Sequence, residues 1–404
     1  MMLKKDLDRV IVKQQADLKK DNGIKRDFEV KQINNFVTII TGVRRCGKST
    51  LVRKHLENKR PIYYTYFEDI SLAEFSLEDF ISLEEKFEEK FGPDGIFFFD
   101  EIQNINGWEK YVRELVDRGK KVIITGSNSS MLSRELGSRL TGRHISLELY
   151  PFSYNEYLRI NDRDHKIDLF KNYLKEGGFP EFVKSKDSDI LKNLFMDILY
   201  RDVIVRNDIK NDVALKNLIS HLISNIGKLT SFNKLKDIVN VKSTNTITQF
   251  MDYLENAYVL FSVKKYDHSF KRQLVNPKKI YCIDSGIIES NAFMFSDNLG
   301  RILENTVFIE LKRRRKEIYY HKDDKECDFV CVEKNKVCDA YQVTWDLTHE
   351  NKKREIDGLS DAMDKYGLKE GYILTFDYED KITENRKKII ILPVWKWILS
   401  DQKQ

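Results

Sequence analysis

The stretch Gly42-Val43-Arg44-Arg45-Cys46-Gly47-Lys48-Ser49-Thr50 constrains the fold of this chain more than any other feature. Its spacing is G-x-x-x-x-G-K-S, which is typical of a loop between a buried strand and a helix. The apolar, β-branched run Phe36–Thr41 precedes the loop, and apolar residues at helical spacing follow it. The stretch therefore predicts an α/β fold with a parallel sheet and helices on both faces.

The residue types of this loop favour the binding of nucleotide phosphates. Gly42 and Gly47 allow the backbone to curl so that successive N–H groups point at an anion. The helix that begins near Lys48 adds the positive end of its dipole. Lys48 would reach the β- and γ-phosphates, and Ser49 would bind Mg²⁺. The predicted nucleotide-contacting residues are Gly42, Arg44, Arg45, Cys46, Gly47, Lys48, Ser49 and Thr50.

A second motif, Gly95-Ile96-Phe97-Phe98-Phe99-Asp100-Glu101, is an apolar strand that ends in two acids. Two adjacent carboxylates are costly to bury unless a cation relieves that cost. We expect Asp100 to hold Mg²⁺ together with Ser49, and Glu101 to polarise the attacking water as the catalytic base. The acids Glu68-Asp69 also end a predicted strand, and either a site position or a solvated loop fits them.

Polar residues follow a further apolar run and predict sensing and catalytic roles. Ser127 or Asn128 would sense the γ-phosphate, and Asn128 is a candidate catalytic residue. Two arginines then stand in a glycine-bearing loop. Arg143, and less so Arg139, suits an arginine finger that acts in cis or on a neighbouring subunit, and a solvated pair of charges is the alternative.

Taken together, these motifs carry a family resemblance. The G-x-x-x-x-G-K-S loop, Phe-Asp-Glu-Ile-Gln, Thr-Gly-Ser-Asn and Leu-Thr-Gly-Arg resemble the AAA-type ATPases of bacteria and archaea that bear a large C-terminal domain. The resemblance implies ATP and Mg²⁺ as cofactors and hydrolysis of ATP to ADP and phosphate. It also implies an ATPase core in residues 1–150, a helical lid in 151–208 and a winged helix in 209–285.

Residues 286–404 resemble the PD-(D/E)xK nuclease fold, with Glu304 on a helix and Asp328 on a strand. An active member would carry an acid, any residue and then lysine on the third strand, where the acids hold Mg²⁺ and the lysine helps to activate water. This chain has Gln342-Val343-Thr344 there, with Lys352 or Lys353 as displaced substitutes. We therefore expect a domain that binds DNA or a protein and does not cut nucleic acid.

The segment 264–279, the predicted wing, is the main candidate for contact with nucleic acid. Against the single acid Asp267 it carries Lys264, Lys265, Lys271, Arg272, Lys278 and Lys279. Basic residues interleaved with aromatic residues suit a nucleic-acid backbone. A solvated basic hairpin or a contact between subunits is the alternative, so the partners left open are nucleic acid, a protein client and a second copy of the chain.

Bulk composition limits the remaining classes of function. The net charge of +5 permits nucleic-acid binding without arguing for it. No apolar run or signal-peptide core indicates a membrane, so we expect a cytoplasmic protein. Cys327, Cys331 and Cys338 fit core thiols better than a metal site. The leading hypothesis is an ATP-driven switch or motor, and the alternatives are an ATP-gated DNA-binding or defence module and a scaffold that binds nucleotide without hydrolysing it.

Overall fold

The structure is a computed structural model, and it describes residues 2–18, 23–59, 61–132, 140, 142–291, 299–384 and 387–400. The chain divides into two compact units. The N-terminal unit consists of Met1–Leu149 and Asn256–Tyr258, and the C-terminal unit consists of Tyr150–Glu255 and Val259–Gln404. Within the described ranges, no helix combines the length and the apolar character that crossing a membrane requires.

A parallel sheet forms the centre of the N-terminal unit. Its strands are β1 Val37–Thr41, β2 Ile62–Tyr66, β3 Ile96–Asp100, β4 Val122–Gly126 and β5 His144–Glu148. They are arranged in the order β2-β3-β4-β1-β5, and all neighbours run parallel. Strands β1, β3 and β4 are buried along their whole length, which explains their continuous apolar sequences. The predicted α/β fold with a parallel-sheet core is confirmed.

The α-helices that the described residues of this unit form beside the sheet are α1 Lys4–Asp17, α2 Lys48–Leu56, α3 Asp79–Phe91 and α4 Trp108–Asp117. Helix α1 contacts α3 and β2, and it buries Leu7, Val10 and Ile11 in the core of the unit. Short 3₁₀ turns cover residues 70–72, 102–104 and 129–132. Helix α2 begins directly after the glycine-rich loop, as the sequence predicts.

The C-terminal unit begins with helices. They are α5 Tyr154–Ile160, α6 Ile167–Glu176, α7 Pro180–Ser185, α8 Ser188–Asp197, a π-helical segment Ile198–Val205 and α9 Asp212–Ile223. The serine before α5 caps it, because the Ser153 side chain accepts from the Glu156 N–H and the Glu156 carboxylate accepts from the Ser153 N–H. Arg206, directly after the π-helical segment, pairs with Asp202 inside it at 3.4 Å.

A small antiparallel sheet follows. The elements are β6 Leu229–Thr230, α10 Phe232–Ile238, α11 Thr244–Asn256, β7 Leu260–Val263, α12 Phe270–Val275 and β8 Lys278–Cys282, and the strand order is β6-β8-β7. The predicted wing therefore contains a helical turn, α12, between β7 and β8. Its residue Lys279 is only 2% exposed. The expectation that Lys279 contacts a nucleic-acid backbone is wrong, because its ammonium group is enclosed by protein.

The rest of the unit is a six-stranded mixed sheet. Its elements are α13 Ser285–Asn291, α14 Leu299–Arg313, β9 Glu317–Lys322, β10 Glu326–Glu333, β11 Lys336–Val343, α15 Lys352–Tyr366, β12 Glu370–Thr375, β13 Asp380–Glu384, β14 Lys387–Pro393 and α16 Val394–Ser400. The strand order is β13-β14-β12-β11-β10-β9. Helix α15 connects β11 to its parallel neighbour β12 and packs on the sheet. Cys327 and Cys331 are buried in β10.

One buried carboxylate explains the glycines that separate α6 from α7. Asp284 accepts hydrogen bonds from the N–H groups of Gly178 at 2.7 Å and Gly286 at 2.9 Å. Gly177 has a φ of 71°, and a Cβ placed there would lie 2.0 Å from the Asp284 carboxylate. Burial raises the pKa of Asp284 to about 6, although the hydrogen bonds from these N–H groups oppose the shift.

We predict that Asp284 makes the stability of the chain depend on pH. The protonated carboxyl is favoured in the folded state, so its contribution is complete below the unfolded pKa of 3.8 and is lost as pH rises through about 6. Across that window the free energy of unfolding should fall by roughly 3 kcal/mol more in the parent chain than in Asp284→Asn. Denaturant titrations at a series of pH values measure this difference.

The control is Asp346→Asn, which changes an exposed aspartate. That variant should keep the pH dependence of the parent chain. Equal pH dependence in the parent and in Asp284→Asn would show that this carboxyl does not titrate as the structure requires.

Candidate nucleotide-binding site

The loop between β1 and α2 adopts a backbone path that requires its two glycines. Gly42 has a φ of 152° and Gly47 a φ of 101°. A Cβ at Gly42 would lie 2.1 Å from the carbonyl oxygen of Leu149, a distance that no side chain tolerates. Arg45 also has a positive φ, of 61°. The loop is thus curled as a phosphate-binding loop requires, with the start of α2 immediately behind it.

Lys48 places a buried ammonium group inside this loop. Its Nζ donates to the carbonyl oxygens of Gly42 at 3.0 Å and Val43 at 3.1 Å, and it lies 3.3 Å from Oε1 of Glu101. Burial alone would lower the pKa of Lys48, but the Glu101 carboxylate, together with Cys46 and Asp100, outweighs burial and raises it. The side chain therefore keeps its charge in the protein interior, ready for an anion.

Ser49 and Asp100 meet as the sequence predicts. The Ser49 hydroxyl donates to Oδ1 of Asp100 at 2.9 Å, the Thr125 hydroxyl donates to the same oxygen, and the Tyr64 hydroxyl donates to Oδ2 at 3.3 Å. Burial, and then the negative charge of Glu101, raise the pKa of Asp100. A hydroxyl beside a buried carboxylate is a donor set that suits Mg²⁺, because the ion would relieve the electrostatic cost of burying the charge.

Glu101 is held in an unusual backbone conformation. Its φ of 55° and ψ of 44° are left-handed, which is uncommon outside glycine. Its Oε2 accepts from Gln103 Nε2 at 2.6 Å and from the N–H of Ser127 at 3.1 Å. Burial pushes the pKa of Glu101 upward, but the Lys48 ammonium and the Gln103 hydrogen bond more than offset it and hold the pKa below its ordinary value.

Of the remaining predicted loop residues, Arg44 is held by an acid that follows β2. Arg44 forms a bidentate pair with Glu68, at 2.9 and 2.7 Å, and the Tyr66 hydroxyl also donates to Glu68 at 3.0 Å. Cys46 is buried, Arg45 is exposed and Thr50 is partly buried. Of the two meanings that the sequence left open for Glu68, the structure supports a site position, because its partner belongs to the glycine-rich loop.

The residues after β4 are arranged differently from the expectation for Asn128. Its Oδ1 accepts from the N–H of Ser130 at 2.8 Å and so shapes the following turn. Ser127 is the residue that contacts Glu101 through its N–H, and its hydroxyl accepts from Gln103 at 3.4 Å. Ser127 is therefore the neighbour of Glu101, while a catalytic role for Asn128 stays a prediction.

Arg143 lies where β1 begins, at the end of the sheet opposite to the glycine-rich loop. Its carbonyl accepts from the N–H of Val37 at 3.1 Å, at the start of β1, whereas the glycine-rich loop follows the end of β1. Because β1 has five residues and a strand rises about 3.3 Å per residue, the two ends of β1 are roughly 13 Å apart. Arg143 pairs with Asp117 at 2.5 Å. This position does not favour an arginine finger in cis; a catalytic role for Arg143, in cis or on a neighbouring subunit, stays a prediction, and Arg139 lies outside the described residues.

Three contributors to the site were not predicted. Thr125, Gln103 and Tyr64 lie on or beside three different strands of the sheet, and each donates to one of the two site carboxylates. Gln103 and Thr125 stand in the quoted motifs Phe-Asp-Glu-Ile-Gln and Thr-Gly-Ser-Asn, and Tyr64 stands in the apolar run before Glu68, but no role was assigned to any of them. Knowledge of the strand order, which places β2, β3 and β4 side by side, would have allowed these contacts to be predicted.

Comparison with known proteins supports an AAA-type core. Residues 34–158 match the family model for the AAA domain, and residues 167–297 match a domain of unknown function, DUF8612. The chain is 34% identical to the uncharacterized protein MJ1544 of Methanocaldococcus jannaschii, with 95% of this chain and 92% of MJ1544 covered. This chain belongs to the MJ1544 family. A second family member, an uncharacterized protein from Haemophilus influenzae, is 30% identical, with 94% and 98% covered.

Two solved structures are also similar in part to this member of the MJ1544 family. A Thermotoga maritima RuvB mutant is 17% identical with a TM-score of 0.31, covering 64% of this chain and 87% of RuvB. The Aeropyrum pernix ORC1 protein, solved in complex with DNA, is 11% identical with a TM-score of 0.32, covering 78% and 94%. TM-scores this low support no conclusion about function.

We predict that Glu68 restrains the phosphate-binding loop. Replacing Glu68 with Gln removes the negative charge that neutralises Arg44 but keeps a hydrogen-bond acceptor. The freed guanidinium should then favour a bound polyphosphate, and ATP affinity should rise by about fivefold, which corresponds to roughly 1 kcal/mol. Fluorescence titration with a labelled ATP analogue measures the change.

The matched control is Glu57→Gln, because Glu57 is an exposed acid paired with Lys54 at the end of α2. That variant should bind ATP like the parent chain. Weaker ATP binding by Glu68→Gln would mean that the Arg44–Glu68 pair supports the loop conformation and does not compete with phosphate.

Proposed function

We propose that this chain binds ATP with Mg²⁺ and hydrolyses ATP to ADP and phosphate. The observation that carries the proposal is the meeting of Lys48, Ser49, Asp100 and Glu101 in one buried group at the carboxyl edge of a parallel sheet. The AAA domain match over residues 34–158 supports the same activity. Ligands bind at this edge of open parallel sheets, because loops and helix N-termini converge there.

Each residue has a role that follows from its contacts. The N–H groups of the curled loop and the Lys48 ammonium bind the β- and γ-phosphates, and Ser49 with Asp100 would hold Mg²⁺. Magnesium, when bound, neutralises charge that develops on the phosphate oxygens. Glu101 orients the attacking water and accepts its proton. Ser127 and Gln103 keep the Glu101 carboxylate aimed, since both donate to its Oε2.

The contact between Lys48 and Glu101 suggests how ATP prepares the base. The Lys48 ammonium pairs with Oε1 of Glu101 at 3.3 Å, so that oxygen is already occupied by the lysine. A triphosphate in the loop would draw the ammonium toward its own oxygens and leave Oε1 of Glu101 free for water. Before ATP binds, the Lys48 ammonium and the Gln103 hydrogen bond hold the pKa of Glu101 below its ordinary value, so the carboxylate is already ionised, as a base requires.

We predict different defects for the two central residues. Lys48→Ala should lose ATP binding, because it removes the ammonium that would face the phosphates. Glu101→Gln should retain ATP but hydrolyse it at least about 100-fold more slowly, the usual contribution of a general base. Phosphate release and nucleotide retention, measured on the same preparations, separate the two effects.

The paired controls are Lys54→Ala and Glu57→Gln. Lys54 is a partly exposed residue of α2, and Glu57 is the exposed acid directly after that helix. Both should behave like the parent chain. Hydrolysis by Glu101→Gln at the parental rate would contradict the assignment of the base. A parent chain that binds ATP without turnover would instead identify a nucleotide-binding scaffold.

We also propose domain roles for the rest of the chain. Residues 151–208 would form a helical lid, 209–285 a winged helix and 286–404 an inactive nuclease-like domain. The order of helices and strands from α9 to β8 supports the winged helix, and the sheet from β9 to β12 with α15 supports the nuclease-like fold. Hydrolysis would drive these parts as a switch or motor on a nucleic-acid or protein client, and Arg143 would serve a neighbouring copy of the chain.

A second candidate function is ATP-gated binding of DNA through the segment 264–279. Lys271 and Arg272 are exposed on α12, beside Phe270, whose exposure of 67% is high for an aromatic residue. Exposed cations next to an aromatic ring suit a phosphate backbone with adjacent bases. Lys278 is less suited, because it is half-buried and lies 4.1 Å from the centre of the Phe232 ring.

We predict that the double substitution Lys271→Glu with Arg272→Glu weakens binding of labelled duplex DNA. Two lost phosphate contacts should reduce the slope of log affinity against log salt concentration by about two. The control is Lys4→Glu with Lys5→Glu, an equal charge change at exposed positions of α1. Equal DNA binding by both double variants, or none by the parent chain, would eliminate this candidate.

A further inference from the structure

A short segment far along the chain belongs to the N-terminal unit. Asn256–Tyr258 groups with Met1–Leu149, whereas the chain up to Glu255 and the chain from Val259 onward belong to the C-terminal unit. The segment begins with the last residue of α11, and one residue separates it from β7. It is therefore one place where the covalent structure of the C-terminal unit enters the unit that holds the candidate nucleotide site.

Tyr258 places a buried hydroxyl at the base of the phosphate-binding loop, since the residue is only 1% exposed. The hydroxyl donates to Oε1 of Glu148 at 3.1 Å. Because a hydroxyl has a single proton, its contact with the Thr41 hydroxyl, at 2.8 Å, is one in which Thr41 donates. Thr41 and Glu148 are paired residues at the carboxyl ends of β1 and β5. The Tyr258 hydroxyl thus bridges the two strands at the edge where the loop begins.

The residues that follow this bridge determine the path of the loop. Gly42 comes directly after Thr41, and Leu149 comes directly after Glu148. The Leu149 N–H donates to the carbonyl oxygen of Thr41 at 2.7 Å, and the Leu149 carbonyl oxygen accepts from Sγ of Cys46 at 3.4 Å. That same carbonyl oxygen is the atom that approaches Gly42 too closely for any Cβ. The loop therefore depends on how Leu149 lies against Thr41, next to the bridge.

A second contact ties the same segment to the turn after β4. The Ser129 hydroxyl donates to Oδ1 of Asn256 at 2.9 Å, and Ser129 lies two residues after Ser127, whose N–H donates to Glu101. Tyr258 itself has a φ of 61°, a left-handed conformation that is rare for a bulky residue and persists only where its surroundings fix it. Despite this strained backbone, the segment is held beside the loop and beside the turn that contacts Glu101.

We propose that Tyr258 is a positioning residue of the candidate nucleotide site, because its hydroxyl holds the base of the phosphate-binding loop in the form that accepts ATP. The inference rests on the proposed binding of ATP and adds the residue that links that binding to the chain entering from the C-terminal unit. Coupling between two equilibria is reciprocal, so a bridge that favours ATP binding is itself favoured by ATP. Bound ATP thus stabilises residues 256–258 in place, and loss of the nucleotide loosens them.

The test compares Tyr258→Phe with Tyr111→Phe in the full-length chain. The control is matched, because the buried Tyr111 hydroxyl also donates to a carboxylate, that of Glu84 at 3.0 Å, between α4 and α3. Without nucleotide, hydrogen–deuterium exchange of the amides in residues 42–47 should be at least about threefold faster in Tyr258→Phe than in the parent chain, and unchanged in the control. The Kd for ATP should rise about fivefold in Tyr258→Phe alone. Its kcat should stay within about twofold of the parental value, because the bridge touches no reacting atom.

A second readout separates positioning from a general loss of stability. In the parent chain, saturating ATP should slow amide exchange in residues 256–258 by about threefold, and in Tyr258→Phe it should have no such effect. Thr41→Val removes the other hydroxyl of the same hydrogen bond and keeps the volume of the side chain. It should also weaken ATP binding, and the double variant should bind ATP no more weakly than Tyr258→Phe, because both changes remove one shared bond.

The inference is overturned if Tyr258→Phe matches Tyr111→Phe in loop exchange and in ATP affinity, or if ATP binds the parent chain without slowing exchange in residues 256–258. If Tyr258→Phe does not fold, Thr41→Val decides by the same comparison with the control. A folded parent chain that binds no ATP would refute the proposed function. The exchange of the loop without nucleotide would even then decide whether the Tyr258 hydroxyl holds it, so the two failures are distinguishable.

Discussion

The ammonium group of Lys48 is the interaction on which the candidate nucleotide site depends. It is buried, it is bonded to two carbonyl oxygens of the loop, and it faces Glu101. Because a lone charge in the protein interior is costly, the surrounding groups must be placed to stabilise it. The curled loop, the left-handed backbone of Glu101 and the hydrogen bonds from Ser127 and Gln103 all serve that placement. The same arrangement leaves a positive charge where phosphate would bind.

Two buried lysines in the chain illustrate how their partners determine what a cation can do. Lys48 is bonded to two neutral carbonyls and to a single carboxylate, Glu101, so an anion that draws it away leaves only that one carboxylate without its lysine. Lys279 instead faces Glu304, Glu326 and Asp328, so moving it would expose net negative charge. The first lysine is therefore suited to exchange partners during a reaction cycle. The second is suited to remain fixed and to hold its elements together.

The sequence predicted those parts of the site that depend on local order along the chain. The loop, its flanking strand and helix, and the strand ending in Asp100 and Glu101 are continuous segments with characteristic periodicity, and all are present. Of the contacts between distant segments, the motifs predicted that Ser49 meets Asp100, but other partners were beyond that reasoning. The Arg44–Glu68 pair and the Thr125 contact depend on strand order. The edge on which Arg143 lies depends on the direction in which β5 joins the sheet.

Composition led to a wrong expectation for a side chain whose burial depends on tertiary structure. Lys279 was counted with its basic neighbours in segment 264–279, yet the alternation of β8 turns it inward to three carboxylates contributed by residues 304–328. The helical turn α12 was hidden for a similar reason, since six residues are too few for a clear period. The count of basic residues in segment 264–279 was correct, but it could not show that Lys279 faces the protein interior.

The most direct test of the account is an equilibrium measurement of ATP binding to the purified full-length chain by isothermal titration calorimetry, with and without Mg²⁺. The account predicts saturable binding at one site per chain, tighter with Mg²⁺ because Ser49 and Asp100 would hold the ion against the phosphates. Absence of saturable binding by a folded chain under both conditions would contradict the central claim that the loop after β1 holds a nucleotide.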